Sequence, residues 1–273
     1  MTATTVRHPA VAGRFYPGDP DILRKDLHTY LSQTGSRKLL RAFGCIVPHA
    51  GYMYSGHVAG AVFSEVEIPE LCVVLCPNHT GRGRPLAIMS EGAWETPLGE
   101  VPIDEEFAAA LKQRCPLLEE DSAAHCAEHS AEVELPFLQV RQAKLKIVPI
   151  ALGTRNPETL EELGNVLAET IIAEQAQALI IASSDMNHYE SDAITRIKDQ
   201  SAIDPILRLD ARALYEVVTH QNVSMCGFGP AVTMLTAASK LGATTARVVK
   251  YATSGDISGD RDLVVGYAGI VVF

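Results

Sequence analysis

Positive charge is scarce in this chain of 273 residues: 23 lysines and arginines stand against 33 aspartates and glutamates, a formal net charge of −10. That balance offers no net attraction to phosphate, which argues against a nucleic acid or an anionic membrane as partner. Long hydrophobic runs are missing too. No apolar stretch approaches the roughly 18 residues that a membrane-spanning helix needs. The first residues, Met1-Thr2-Ala3-Thr4-Thr5-Val6-Arg7-His8-Pro9, lack the apolar core of a signal peptide. These absences predict a cytoplasmic protein whose six cysteines are mostly reduced thiols. No CxxC pair occurs, so neither a zinc knuckle nor a thioredoxin-like centre arises. A Walker loop, a GxGxxG after a strand and a GxSxG elbow are absent as well. No Pro/Gly/Ser-rich linker or low-complexity segment divides the chain, which reads as one domain over residues 1–273.

What is present is a globular composition, 47% hydrophobic and 21% charged, with strands alternating with helices. Strands are predicted at Cys45–Pro48, Leu71–Cys76, Leu86–Met89, Lys146–Leu152, Leu179–Ala182, Arg247–Tyr251 and Val264–Phe273. Helices are predicted at Asp21–Leu31, Gly56–Val66, Asp104–Arg114, Ser130–Ala143 (disturbed at Pro136), after the Asn156-Pro157 start signal, and at Ala193–Ile206, Asp210–Thr219 and Pro230–Leu241. Ala50–Ser55 reads as a loop. Strands separated by helices imply a three-layer αβα domain of the α/β class. The short Leu86–Met89 strand and the C-terminal run are expected to pair antiparallel, which makes the largely parallel sheet a mixed one.

Three of the apolar runs end in a histidine: Val47-Pro48-His49, Cys76-Pro77-Asn78-His79 and, after Ser183-Ser184-Asp185-Met186-Asn187, His188. Sheets of this class bind ligands beyond the carboxyl ends of their strands, so these imidazoles form a candidate metal or acid–base site. Each alone reads more readily as a hydrogen-bonded histidine in a surface turn. Asp185 stands close enough in sequence to His188 to orient it. Tyr52 and Tyr54 follow His49 and offer phenol donors. Asn78 and Arg82 flank His79 in a Gly-rich turn, where Arg82 is either solvated or in contact with an anion. His129, in Glu128-His129-Ser130-Ala131-Glu132, is a further catalytic candidate beside a possible helix cap. Cys226 differs from Cys45, Cys72 and Cys76, which sit inside strands as small hydrophobes. It precedes a helix in a Gly-rich turn, a setting that favours thiolate.

Together these segments resemble the Memo family. The resemblance is carried by Pro9-Ala10-Val11-Ala12-Gly13-Arg14-Phe15-Tyr16-Pro17, Pro48-His49-Ala50-Gly51-Tyr52-Met53-Tyr54-Ser55-Gly56, Pro77-Asn78-His79, Trp94-Glu95-Thr96-Pro97-Leu98-Gly99, Glu128-His129-Ser130-Ala131-Glu132, Ser184-Asp185-Met186-Asn187-His188-Tyr189 and Cys226-Gly227. It runs through essentially the whole chain, and its prokaryotic form is the B protein of the AmmeMemoRadiSam type. The family is similar in fold to the class III extradiol (LigB-like) dioxygenases, which hold non-haem Fe(II) with two histidines and a carboxylate. The resemblance therefore implies His49 and His79 as metal ligands, Cys226 at the third ligand position and His188 as the acid–base histidine. A thiolate in place of a carboxylate makes a softer site, suited to Fe(II), Cu or Zn. The resemblance also implies a small-molecule or peptide ligand and a radical-SAM protein partner. Two functions follow as expectations. One is a metal-dependent redox enzyme. The other is a binding or scaffold protein whose vestigial pocket holds an anionic peptide or metabolite.

Overall fold

A computed structural model describes residues 5–32 and 39–273; residues 1–4, the start of the stretch read above for a leader, lie outside them. In chain order the strands are β1 (Val6–Arg7), β2 (Gly44–Val47), β3 (Leu71–Pro77), β4 (Leu86–Ile88), β5 (Ala93–Thr96), β6 (Gly99–Pro102), β7 (Glu119–Glu120), β8 (Lys146–Leu152), β9 (Ala178–Ser183), β10 (His188–Glu190), β11 (Ala246–Thr253) and β12 (Val264–Val272). The helices are α1 (Pro20–Leu31), α2 (Tyr52–Glu65), α3 (Glu105–Arg114), α4 (Leu135–Arg141), α5 (Pro157–Ala173), α6 (Asp192–Leu207), α7 (Ala211–His220), α8 (Phe228–Lys240) and the single turn α9 (Gly255–Ser258). Their starts follow local chemistry. Asp19, Asp104 and Asn156 each accept a first-turn backbone N–H, at 2.9, 3.2 and 2.8 Å, and so satisfy donors that the helix itself cannot.

The main sheet runs β10-β12-β2-β9-β3-β8-β4-β7, with β11 also on β12. Its centre, β2-β9-β3-β8, is parallel. β12 joins β2 antiparallel and β4 joins β8 antiparallel, as the sequence pattern predicts for both ends. The central strands are buried along their length except at the first residues of β8 and β9, which explains their continuous rather than alternating apolar runs. Close packing shows on which side each helix lies. A side chain at Gly44 would collide with Met234 of α8, and one at Gly269 with Val58 and Val62 of α2. Gly44 pairs with Val272, three positions from Gly269 on β12, so the two glycines face opposite sides of the pleat. Helices α2 and α8 thus cover opposite faces, giving the three-layer α/β arrangement.

Two expectations are corrected. The segment Ala50–Ser55 is not all loop. Helix α2 begins at Tyr52, whose backbone N–H donates to the carbonyl of Phe15 at 2.7 Å, a partner that no local pattern reveals. Pro136 does not disturb a helix from Ser130 to Ala143. It stands in the first turn of α4, where its missing N–H costs nothing, after a short 3-10 turn at Glu132–Glu134. Outside the main sheet, and without a counterpart in the sequence reading, β1, β5 and β6 form a separate three-stranded sheet, a β5–β6 hairpin joined by β1 in parallel.

Candidate metal centre

The register of β2 against β9 sets Val47 beside Ser183, and that of β3 against β9 sets Leu75 beside Ala182. The three strands therefore finish at nearly one level, and the residues just beyond them share a rim. There the imidazoles of His49, His79 and His129 converge, with their candidate ligand atoms all within 4.8 Å of one another. The His49 ring is edge-on to both others, at centroid distances of 5.2 Å to His79 and 5.4 Å to His129. His79 and His129 stack at 4.8 Å. Burial lowers the pKa of His49 well below the ordinary value, and the neighbouring His129, His79 and His188 lower it further. A neutral imidazole is the form that offers a lone pair to a metal.

Each ring is oriented from behind. Glu128, fully buried, accepts from the backbone N–H of His79 at 2.6 Å and from its Nδ1 at 2.9 Å. It also accepts from the backbone N–H of Ser130 at 3.0 Å and the Ser130 hydroxyl at 2.7 Å. Burial alone would raise this carboxyl; the bonds from His79 and Ser130 outweigh it and hold the group down at about 2. An ionised Glu128 fixes the His79 proton on Nδ1 and turns Nε2 toward the cluster. The same oxygen lies 3.4 Å from His129 Nδ1. His49 Nδ1 meets the Ser183 hydroxyl at 2.7 Å, and its backbone N–H donates to Asp185 at 2.8 Å.

Cys226 lies 177 residues from His49 in sequence, yet its Sγ stands 3.2 Å from His49 Nε2. It is not among the three clustered ligands but touches one of them. Its setting differs from the expectation of a thiolate at a helix start: burial, and then the nearby Asp185, push the thiol pKa up. The adjacent Gly227 has to be glycine, since a Cβ there would lie 2.2 Å from the Ser183 carbonyl oxygen.

The remaining sequence candidates separate. His188 faces the same rim, but its ring is held by the Ser224 carbonyl at 2.9 Å from Nδ1, and burial lowers its pKa. Asp185 does not hold His188. Its carboxylate turns to the backbone N–H groups of His49 and Ala50, and burial brings it up to about 7. Tyr52 is buried, and its hydroxyl donates to the Val133 carbonyl at 2.7 Å, so its phenol serves packing against Phe137 and Tyr16 rather than a ligand. Tyr54 packs beside Val58, Ala252 and Tyr267. Asn78 folds its own turn, donating to the Arg82 carbonyl at 2.6 Å and accepting from Thr80 and Gly81. Arg82 is exposed on that turn.

Sequence reading missed the groups that build the site from behind. Arg7 on β1, lying over the Trp94 ring at 4.3 Å, reaches Glu132 at 2.5 Å and the carbonyls of His125 and Glu128 at 3.0 and 2.7 Å. Glu132 in turn takes the backbone N–H groups of Ala10 and Val11 and the Tyr16 hydroxyl. The N-terminal segment is thereby strapped across the loop that carries Glu128 and His129. Its one available signal was a run of glutamates, Glu128, Glu132 and Glu134, at positions that turn out to be buried. A surface cavity of about 770 Å³ between Phe43, Ile172 and Ala178 lies at the amino ends of β2 and β9, and no imidazole or thiol is among its lining residues.

Among the described residues no helix is long and apolar enough to cross a membrane. The Memo-like protein family model matches residues 7–271. A MEMO1 family protein of Methanopyrus kandleri is 43% identical, the alignment covering 97% of this chain and 98% of that protein. One from Methanothermobacter thermautotrophicus is 42% identical over 96% of this chain and 99% of its own length, and one from Thermotoga petrophila 42% over 98% and 99%. With matches that run end to end through the rim histidines and their supports, the chain belongs to the Memo family.

Proposed function

We propose that the protein is a metal-dependent redox enzyme acting on a small molecule at this rim. The observation that carries the reading is the convergence of His49, His79 and His129 with Cys226 against His49. The donor set fits a transition metal. His79 has its proton engaged on Nδ1 and so presents Nε2, and His49 Nε2 already meets Cys226. His49 and His79 would hold the ion, with Cys226 as the soft donor and His129 as the third imidazole. Imidazole with thiol suits Fe(II), Cu or Zn, and the likeness to extradiol dioxygenases favours Fe(II). Such an ion would supply redox and Lewis-acid chemistry.

The chain's own groups would manage protons around it. His188, neutral by burial and with Nδ1 bonded to the Ser224 carbonyl, keeps Nε2 as a base at the rim. Asp185 near 7 is poised to gain or lose a proton close to neutral pH while it aligns the backbone of His49 and Ala50. The test is metal content with an electronic spectrum on protein purified without oxygen, for wild type, Cys226→Ala and His129→Ala. About one ion per chain, lost or spectrally altered in Cys226→Ala, is expected for a site with a thiolate donor. Full occupancy and an unchanged spectrum in both variants would remove those residues from the ligand set. No uptake of Fe(II), Cu or Zn by a folded wild type would leave a ligand-binding pocket without catalysis.

A further inference from the structure

The hydrogen-bond geometry behind His49 admits one consistent arrangement of protons. The Ser183 hydroxyl has three neighbours: the Ser130 carbonyl at 2.7 Å, His49 Nδ1 at 2.7 Å and Glu134 Oε1 at 3.1 Å. A hydroxyl has one proton to give and two lone pairs to receive. A carbonyl can only accept, so the Ser183 proton points to Ser130. The other two contacts are then bonds only if His49 Nδ1 and Glu134 Oε1 each bring a proton. Glu134 lies in an environment that agrees. It is 1% exposed, and its Oε2 has no partner among the described residues. Burial raises its pKa well above the ordinary value, outweighing the hydrogen bond with Ser183, which lowers it, and the facing Asp185 raises it further. On the far side of His49, Cys226 then donates its thiol proton to the Nε2 lone pair.

We propose that Ser183 and Glu134 form a fully directed, uncharged relay that fixes His49 as its Nδ1–H tautomer, with Glu134 retained as a buried carboxylic acid. Ser183 and Glu134 are positioning residues: neither ligates, and both act through His49. The relay is a property of the metal-free protein. Its consequence, an Nε2 lone pair aimed at the cluster before any ion arrives, rests on the metal-site reading above.

The test uses metal-free full-length protein. Ring nitrogen chemical shifts of His49 by NMR report the tautomer, and infrared difference spectroscopy against Glu134→Gln reports the carbonyl stretch of a protonated acid. Wild type is expected to show the Nδ1–H tautomer and the acid stretch. Glu134→Gln, whose amide also donates, is expected to keep the tautomer and lose the stretch. Ser183→Ala is expected to give a mixed tautomer and roughly 10- to 100-fold weaker Zn(II) binding, the usual loss when a supporting partner of a metal-binding histidine is removed. An Nε2–H tautomer in wild type, or an ionised Glu134 at neutral pH, would overturn the relay. The expected tautomer and stretch in a wild type that binds no Zn(II) would sustain the relay and sink the metal-site reading instead.

Discussion

Glu128 and Glu134 stand six positions apart on one loop, both fully out of solvent, and the site uses them in opposite charge states. Glu128 collects four hydrogen bonds from His79 and Ser130 and is held down at about 2, an anion behind His79. Glu134 has one bond, to Ser183, and burial raises it well above the ordinary value, an acid behind His49. Residue type and solvent exposure are nearly the same; Glu134 is the more deeply desolvated, and Glu128 has the donors. Desolvation penalises any buried carboxylate, and only a dense set of N–H and O–H donors outweighs it. The result is a cluster with one histidine backed by a charge and another backed by a neutral chain.

The largest effect is expected from removing the cation on the Glu128 side. Arg7 is buried, pairs with Glu132 and donates to the Glu128 carbonyl. Arg7→Met leaves Glu132 buried without a counter-charge, which costs about 3–5 kcal/mol of stability. Urea unfolding at neutral pH measures it. A loss below about 1 kcal/mol would mean that the pair contributes no more than an exposed ion pair does, and that the backbone N–H groups of Ala10 and Val11 suffice to hold Glu132.

Glu128→Gln comes next. A value near 2 against an ordinary 4.5 corresponds to roughly 3 kcal/mol of stability at neutral pH. The sign follows from the depressed folded value. The contribution is complete above pH 4.5 and disappears as pH falls through about 2. Metal-free wild type should therefore exceed the variant at pH 7 and converge on it in acid. A difference that stays constant down to acid pH would show that Glu128 is not held as an anion by these bonds.

How much of this was legible beforehand depends on the range of the interactions. The ends of β2, β3 and β9 were legible because continuous apolar runs closed by Pro48, Pro77 and Ser184 read locally, and so was the cap at Asn156. The start of α2 was not, because Tyr52 takes its partner from Phe15. Short strands such as β1 and β10, of two and three residues, leave no period to detect. In the site, sequence proximity misled: Asp185 and His188 are three positions apart, yet Asp185 serves the backbone of His49 and His188 is held by Ser224. Conversely, Cys226 and His49 meet across the fold with only the family likeness to suggest it. The charge of a glutamate was least legible of all, because it depends on donors that tertiary structure delivers.

Glu134→Gln should give the smallest change, and of opposite sign. A raised folded value means that the folded protein keeps a proton which the unfolded chain releases above pH 4.5. Wild-type stability therefore falls with rising pH by up to about 1.4 kcal/mol per pH unit over that range, until the folded acid itself ionises. The variant has no such group. Near pH 4.5 the two proteins should unfold at similar urea concentrations, since the amide preserves the donor to Ser183. Toward pH 8 the variant should become the more stable one, while Glu128→Gln remains the less stable one throughout. Parallel stability curves for wild type and Glu134→Gln would mean that Glu134 is ionised in the folded protein. The two glutamates would then differ only in how many donors surround them, and not in charge.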